Sequence, residues 1–108
     1  MKKILLSALL FMGVATTSQA SCSGDTCTNV TIDSLFAMSN GTILIYTSGQ
    51  ETALNCTSDS VGFVTIDPVA SGKNAIYSLL LTASTTNTPV SIRVVNGSPM
   101  CRIAYVYN

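Results

Sequence analysis

The sequence predicts a mostly β domain of five short strands, with one helix between the third and the fourth. Three observations carry this expectation. Apolar residues alternate in separate short runs, one stretch switches to a three-and-four spacing, and Ser, Thr, Asn and Gly fill the joints.

The first twenty of the 108 residues are read as a leader rather than as part of that domain. Lys2 and Lys3, the apolar run Ile4–Val14 and Ser18-Gln19-Ala20 form the three parts of a secretory signal peptide. The run is too short to span a bilayer. Residues 1–20 are thus the expected signal peptide and 21–108 the expected domain, periplasmic or secreted.

Each element has its own signal. Thr28–Phe36 sets Val30 and Ile32 on one face, as in a strand, and Ser39-Asn40-Gly41 is a turn, since Asn and Gly tolerate positive φ. Thr42–Thr47 is a dense β run. Val61–Ile66 is the third strand, stopped by Asp67-Pro68. In Ser71–Thr85, residues Ile76, Leu79, Leu80 and Ala83 form one helical stripe, with Ser71 or Asn74 as a cap and Pro89 beyond the end. Val90–Val95 and Arg102–Tyr107 alternate again around the turn Asn96-Gly97-Ser98-Pro99.

The order β-β-β-α-β-β is that of an OB-like barrel, a small partly open Greek-key cylinder plugged by its helix. A two-layer α+β sandwich uses the same elements and stays open as an alternative.

A domain of about 88 residues has a modest core, so cross-links matter. Cys22, Cys27, Cys56 and Cys101 all lie past the leader, an even number that reads as two disulfides in an oxidising compartment. Of three connectivities, Cys22–Cys27 with Cys56–Cys101 is favoured, because the Ser-Gly-Asp-Thr spacer can fold back on itself. The second bridge would close a loop of about 46 residues, a gain of roughly 4 kcal/mol by chain entropy. Zinc on the four thiolates is the weaker reading, because all four would have to stay reduced.

Charge and composition exclude several functions. Without the leader, Lys73, Arg93 and Arg102 face Asp25, Asp33, Glu51, Asp59 and Asp67, a net charge of −2. Three bases make neither a nucleic-acid groove nor a polybasic membrane surface. The absence of His removes Ser-His and Cys-His nucleophilic pairs and His-ligated metal sites. Asp59 and Asp67 flank the third strand and could in principle form a glycosidase-like pair. The five acids, with Asp25 and Glu51 in presumed loops, are read instead as solubilising charge. No catalytic residue, cofactor or metal is expected.

Apolar residues beyond the core point to assembly. The second strand is apolar on both faces, Ile43 and Ile45 on one, Leu44 and Tyr46 on the other. Tyr77 and Leu81 lie four apart on a helix flank turned from the core stripe. Tyr46, Tyr77 and Leu81 are therefore the expected interface of a homo-oligomer.

Three stretches also carry a resemblance: Tyr46-Thr-Ser-Gly with Leu54-Asn-Cys-Thr57, then Ala75–Ala83, then Pro89–Val94 followed by Cys101–Val106. They resemble a group of small exported gammaproteobacterial proteins. That group is similar in turn to the OB-fold B subunits of subtilase-cytotoxin and pertussis-like toxins. The resemblance implies a homopentameric ring whose helices surround a channel. It also implies binding of cell-surface glycans, often sialylated, through side pockets built by loops and the first strand. Cys22–Cys27 leads into that strand, which makes Ser23 and Asp25 the nearest polar candidates. No toxin pocket residue carries over by alignment, and the chain is shorter than those subunits. The expected function is that of an exported, non-enzymatic binding protein. The alternative is a periplasmic accessory or inhibitor protein that docks another protein.

Overall fold

The computed structural model describes residues 19–57 and 62–108. The expected leader, apart from Gln19 and Ala20, lies outside the described residues, as do Asp59 and the start of the third expected strand.

The domain is mostly β, with two antiparallel sheets and one helix. Strands β1 (Ser21–Ser23), β2 (Thr26–Val30), β6 (Val90–Val94) and β7 (Ile103–Tyr107) form one sheet in the order β1-β2-β6-β7. Strands β3 (Ile32–Ala37), β4 (Ile43–Thr47) and β5 (Val64–Ile66) form the other, in that order. The described residues thus hold seven strands rather than the five expected, and the strands do not close into a barrel.

Two local causes account for the difference. First, the expected strand Thr28–Phe36 is broken at Thr31 into β2 and β3, which pair with different neighbours. Asn29 takes a positive φ of 54° and the register shifts between Cys27 and Val30. The Thr31 amide donates to Ser48 Oγ at 3.0 Å, and its carbonyl accepts from the Ser48 amide at 3.0 Å. Those two bonds satisfy the polar backbone at the break, which would otherwise be costly. Second, the Ser23-Gly24-Asp25-Thr26 turn makes β1 and β2 a hairpin. Gly24 supplies a φ of +60° there, and Cys22 sits directly opposite Cys27.

The sheets meet at one isolated parallel bridge, Thr65 to Arg102. There the Thr65 amide donates to the Cys101 carbonyl at 3.0 Å, and its hydroxyl donates to the Met100 carbonyl at 2.9 Å. With β5 only three residues long, no continuous ladder runs on from this point.

Helix α1 (Lys73–Thr86) rests on β3, β5 and β7. Leu80 and Ala83 are buried, and Ile76 packs against the same core from its margin. Gly72 holds the N-cap position with no side-chain cap bond, so neither Ser71 nor Asn74 plays the expected part. Asn87, left-handed at φ 54°, ends the helix with its amide on the Ala83 and Ser84 carbonyls. Tyr77 also packs against the core, which corrects its placement on a flank turned from it. Leu81 is the exposed one, at 42%.

The core joins Val30, Ile45, Val64, Leu80 and Ile92 from both sheets and the helix. Two disulfides tie its margins. Cys22–Cys27 locks the first hairpin, and Cys56–Cys101 links the chain after β4 to the start of β7. No helix among the described residues is long and apolar enough to cross a membrane.

Candidate functional site

A cavity of about 510 Å³, open to solvent, lies where β4 ends. Asp33, Tyr46, Thr47, Gln50, Glu51 and Thr52 line it, with Gly49 and Gly62 in its wall.

Strand parity places the aromatic ring. In β4, Ile43, Ile45 and Thr47 face inward and are buried, so Leu44 and Tyr46 face outward. The Tyr46 ring is held edge-on by Phe36, centroids 5.6 Å apart, and by Phe63 at 5.7 Å. Edge-to-face pairs of this kind fix a ring's orientation. Asp33 enters from β3 at a bulge, where the register slips between the pairs Ile32–Thr47 and Ser34–Tyr46. Bulges re-aim the side chain they carry.

Glu51 comes from the loop after β4. The chain turns back at Ser48-Gly49-Gln50 into a single 3-10 turn, Glu51–Ala53. Gly49 is required at this point. A Cβ there would stand 2.7 Å from Cys22 Sγ and 2.9 Å from Val30 Cγ1, closer than any such contact can be. The Glu51 side chain thereby folds under the strand end and is only 5% exposed. Its carboxylate accepts the Thr47 amide at 3.2 Å and the Thr47 hydroxyl at 3.0 Å. Burial pushes its pKa above the ordinary value, the two Thr47 bonds pull the other way, and the negative charge of Asp33 adds to the rise. Glu51 was expected to be a solubilising loop charge; the fold buries it beside the cavity instead.

The residues singled out from the sequence lie elsewhere. Ser23 and Asp25 belong to the outer face of the four-stranded sheet. Asp25 forms an ion pair with Arg93 at 2.9 Å and accepts from the Thr26 hydroxyl at 3.0 Å. Arg93 in turn donates to the Tyr105 hydroxyl at 3.3 Å. Register pairs Ser23 with Thr26, Thr26 with Arg93 and Arg93 with Tyr105, one row across the sheet. Of the expected interface residues, Tyr46 lines the cavity and Tyr77 and Leu81 stay on the helix, so the fold does not gather the three.

Asp67, the other carboxylate considered from the sequence, accepts from the Val69 amide at 3.0 Å and from Arg102 Nη1 at 3.1 Å. Those contacts hold its pKa below the ordinary value. It borders a second cavity of about 230 Å³ with Thr65, Pro68, Met100 and Arg102. There acid and base are joined to each other.

Comparison with known proteins returns no match: no family model, no curated protein and no solved structure matches the chain. The site's own chemistry therefore carries the functional argument. No group of three or more His, Cys, Asp or Glu among the described residues could hold a metal ion. What the larger cavity offers is a tyrosine held in place by two rings, an amide, two carboxylates and two threonines around an open space. Asp33 and Gln50 are exposed, and carboxylates and amides bind neighbouring hydroxyls through paired acceptors and donors.

Sequence reasoning passed over Asp33, Gln50 and Glu51. The one signal that could have pointed to them is Thr47-Ser-Gly-Gln-Glu51, a tight polar reversal directly after the densest apolar strand.

Proposed function

We propose that this chain is an exported, disulfide-stapled binding domain that recognises a saccharide at the Tyr46 cavity. A single observation carries the reading: Tyr46, whose ring is held by Phe36 and Phe63, lines the same open cavity as Asp33, Gln50 and Glu51. Sugars present an apolar C–H face and a rim of hydroxyls. A ring beside planar hydrogen-bonding groups matches both, as binding sites with few convergent polar groups do in general. The two disulfides fit an oxidising compartment.

An OB-like connectivity accompanies this reading. Taken as one bent strand, β2–β3 passes its first half to β6 and its second half to β4. The path then runs from β4 to β5, across the Thr65–Arg102 bridge to β7, and back through β6. That circuit supports the likeness to the toxin B subunits. It makes a homo-oligomeric ring the expected assembly, with exposed Leu81, Phe36 and Met38 as apolar contact points.

A glycan array on the mature protein tests the binding. Selective binding is expected, and Tyr46→Ala should weaken it at least about tenfold, the loss of about one ring contact, with the melting profile as a control for folding. A blank array overturns the saccharide reading. Light scattering after size-exclusion chromatography tests the ring, and a strict monomer removes it. Should the array stay blank while Phe36 and Met38 cross-link to a different periplasmic protein, the domain is an accessory or inhibitor subunit instead.

A further inference from the structure

We infer that the Tyr46 cavity selects a cationic saccharide, an amino sugar with a free ammonium group, over neutral and sialylated ones. The inference rests on the saccharide reading and names the charge class of its ligand.

The argument is one of charge placement. Asp33 and Glu51 both line the cavity, and no basic residue lines it among the described residues. The four residues between Thr57 and Gly62 read Ser-Asp-Ser-Val and contain no base. The three bases past the leader are placed elsewhere. Arg93 is held by Asp25, and Arg102 by Asp67. Lys73 reaches over the Gly41 turn, its Nζ 3.3 Å from where a Gly41 Cβ would stand, beside Pro68 of the smaller cavity.

A sialic acid carboxylate entering this cavity would meet two like charges, with no cation to neutralise it. An ammonium group would meet two opposite charges at short range. The ring adds to this preference, because the face of a tyrosine attracts cations as well as sugar C–H bonds. Glu51 is suited to the part. Its carboxylate is fixed by Thr47, so little ordering is lost on binding, and an entering ammonium would offset the burial that disfavours its charge. Asp33 stands opposite on the β3 bulge with no ion-pair partner among the described residues.

The experiment measures affinity for three probes near neutral pH and low salt: a fully deacetylated glucosamine oligomer, its N-acetylated counterpart and sialyllactose. The glucosamine oligomer should bind at least about tenfold more tightly than either, and raising the salt should narrow the gap. Asp33→Asn, an exposed and near-isosteric change, should narrow it by about threefold or more, with the glucosamine oligomer losing more affinity than its N-acetylated counterpart. Equal affinity for both oligomers, or tighter binding of sialyllactose, overturns the charge assignment and leaves the saccharide reading standing. No binding of any probe overturns both. Free lysine competing as well as the glucosamine oligomer also overturns the proposal, since the site would then read an amine without a sugar.

Discussion

The two sheets treat charge and covalent linkage in opposite ways. The sheet β1-β2-β6-β7 holds one disulfide within its first hairpin, and a second reaches the start of its last strand. Its surface acid, Asp25, is matched by Arg93, and Arg102, next to β7, is matched by Asp67. The sheet β3-β4-β5 contains no cysteine. Its margin carries Asp33 and Glu51 without a base, and an aromatic group of Phe36, Tyr46 and Phe63. One side has its charges paired within the fold, and the other fixes carboxylates without a base beside them. Groups already satisfied within a fold have little left to offer a partner. The place to look for recognition is therefore where the chain has fixed a polar group without neutralising it.

Removing the long bridge is the strongest way to separate the two sides. Cys56→Ala with Cys101→Ala should lower stability by about 2–5 kcal/mol, since the bridge restrains a long stretch of the unfolded chain. Urea titration of wild type and variant measures the loss. Cys101 is fully buried in the core, but neither of its neighbours lines the Tyr46 cavity. At a temperature where the variant stays folded, its affinity for the cavity ligand should therefore match that of wild type. An equal loss of affinity would show that the stapled side shapes the site and would break the contrast.

Gly49 is another point at which the two sides touch, so a smaller and mixed effect is expected there. Gly49→Ala forces a methyl group against Cys22 Sγ and Val30 Cγ1, an overpacking that costs about 1–3 kcal/mol. Relief must come from moving the Ser48–Glu51 loop, because the opposing atoms are held by a disulfide and the core. Both melting temperature and ligand affinity should fall together. Lowered stability with unchanged affinity would mean that the hairpin yields and the loop does not.

Much of this arrangement is legible in the sequence, and the exceptions share a cause. The stripe Ile76, Leu79, Leu80, Ala83 announces the helix because its period is local. The runs at β4, β6 and β7 announce themselves for the same reason. The break at Thr31 does not, since Val30, Thr31 and Ile32 keep alternating across it. What divides the strand is a pair of bonds to Ser48, seventeen residues on. The three-residue strand β1 is too short to show a period, and it exists because Cys27 holds Cys22 across the turn. Glu51 looks like any loop acid until Gly49 brings the chain tight against the hairpin. Tyr77 fails differently: a helical wheel places it off the stripe, but it packs half-buried against the margin of the core. Alternation and helical spacing report what a residue's neighbours in sequence do. The site depends on contacts that these patterns do not encode.

The smallest expected effect sets two carboxylates against each other through pH. Asp67 has a pKa below its ordinary 3.8, chiefly through the Val69 amide and then Arg102. The stability it contributes is therefore present above the ordinary value and is lost as the pH falls through the lowered one. Glu51 has a pKa above its ordinary 4.5 because burial disfavours its charge. In the window between 4.5 and its raised value, the folded chain binds more protons than the unfolded one. Stability therefore rises as the pH falls through that window and levels off below it. Stability curves across acid pH for wild type, Asp67→Asn and Glu51→Gln separate the two. Asp67→Asn should flatten the loss at the acid end, and Glu51→Gln should remove the gain at milder acidity. A Glu51→Gln curve parallel to wild type through that window would mean that Glu51 titrates as an exposed acid does. The buried carboxylate would then no longer set the cavity apart from the rest of the surface.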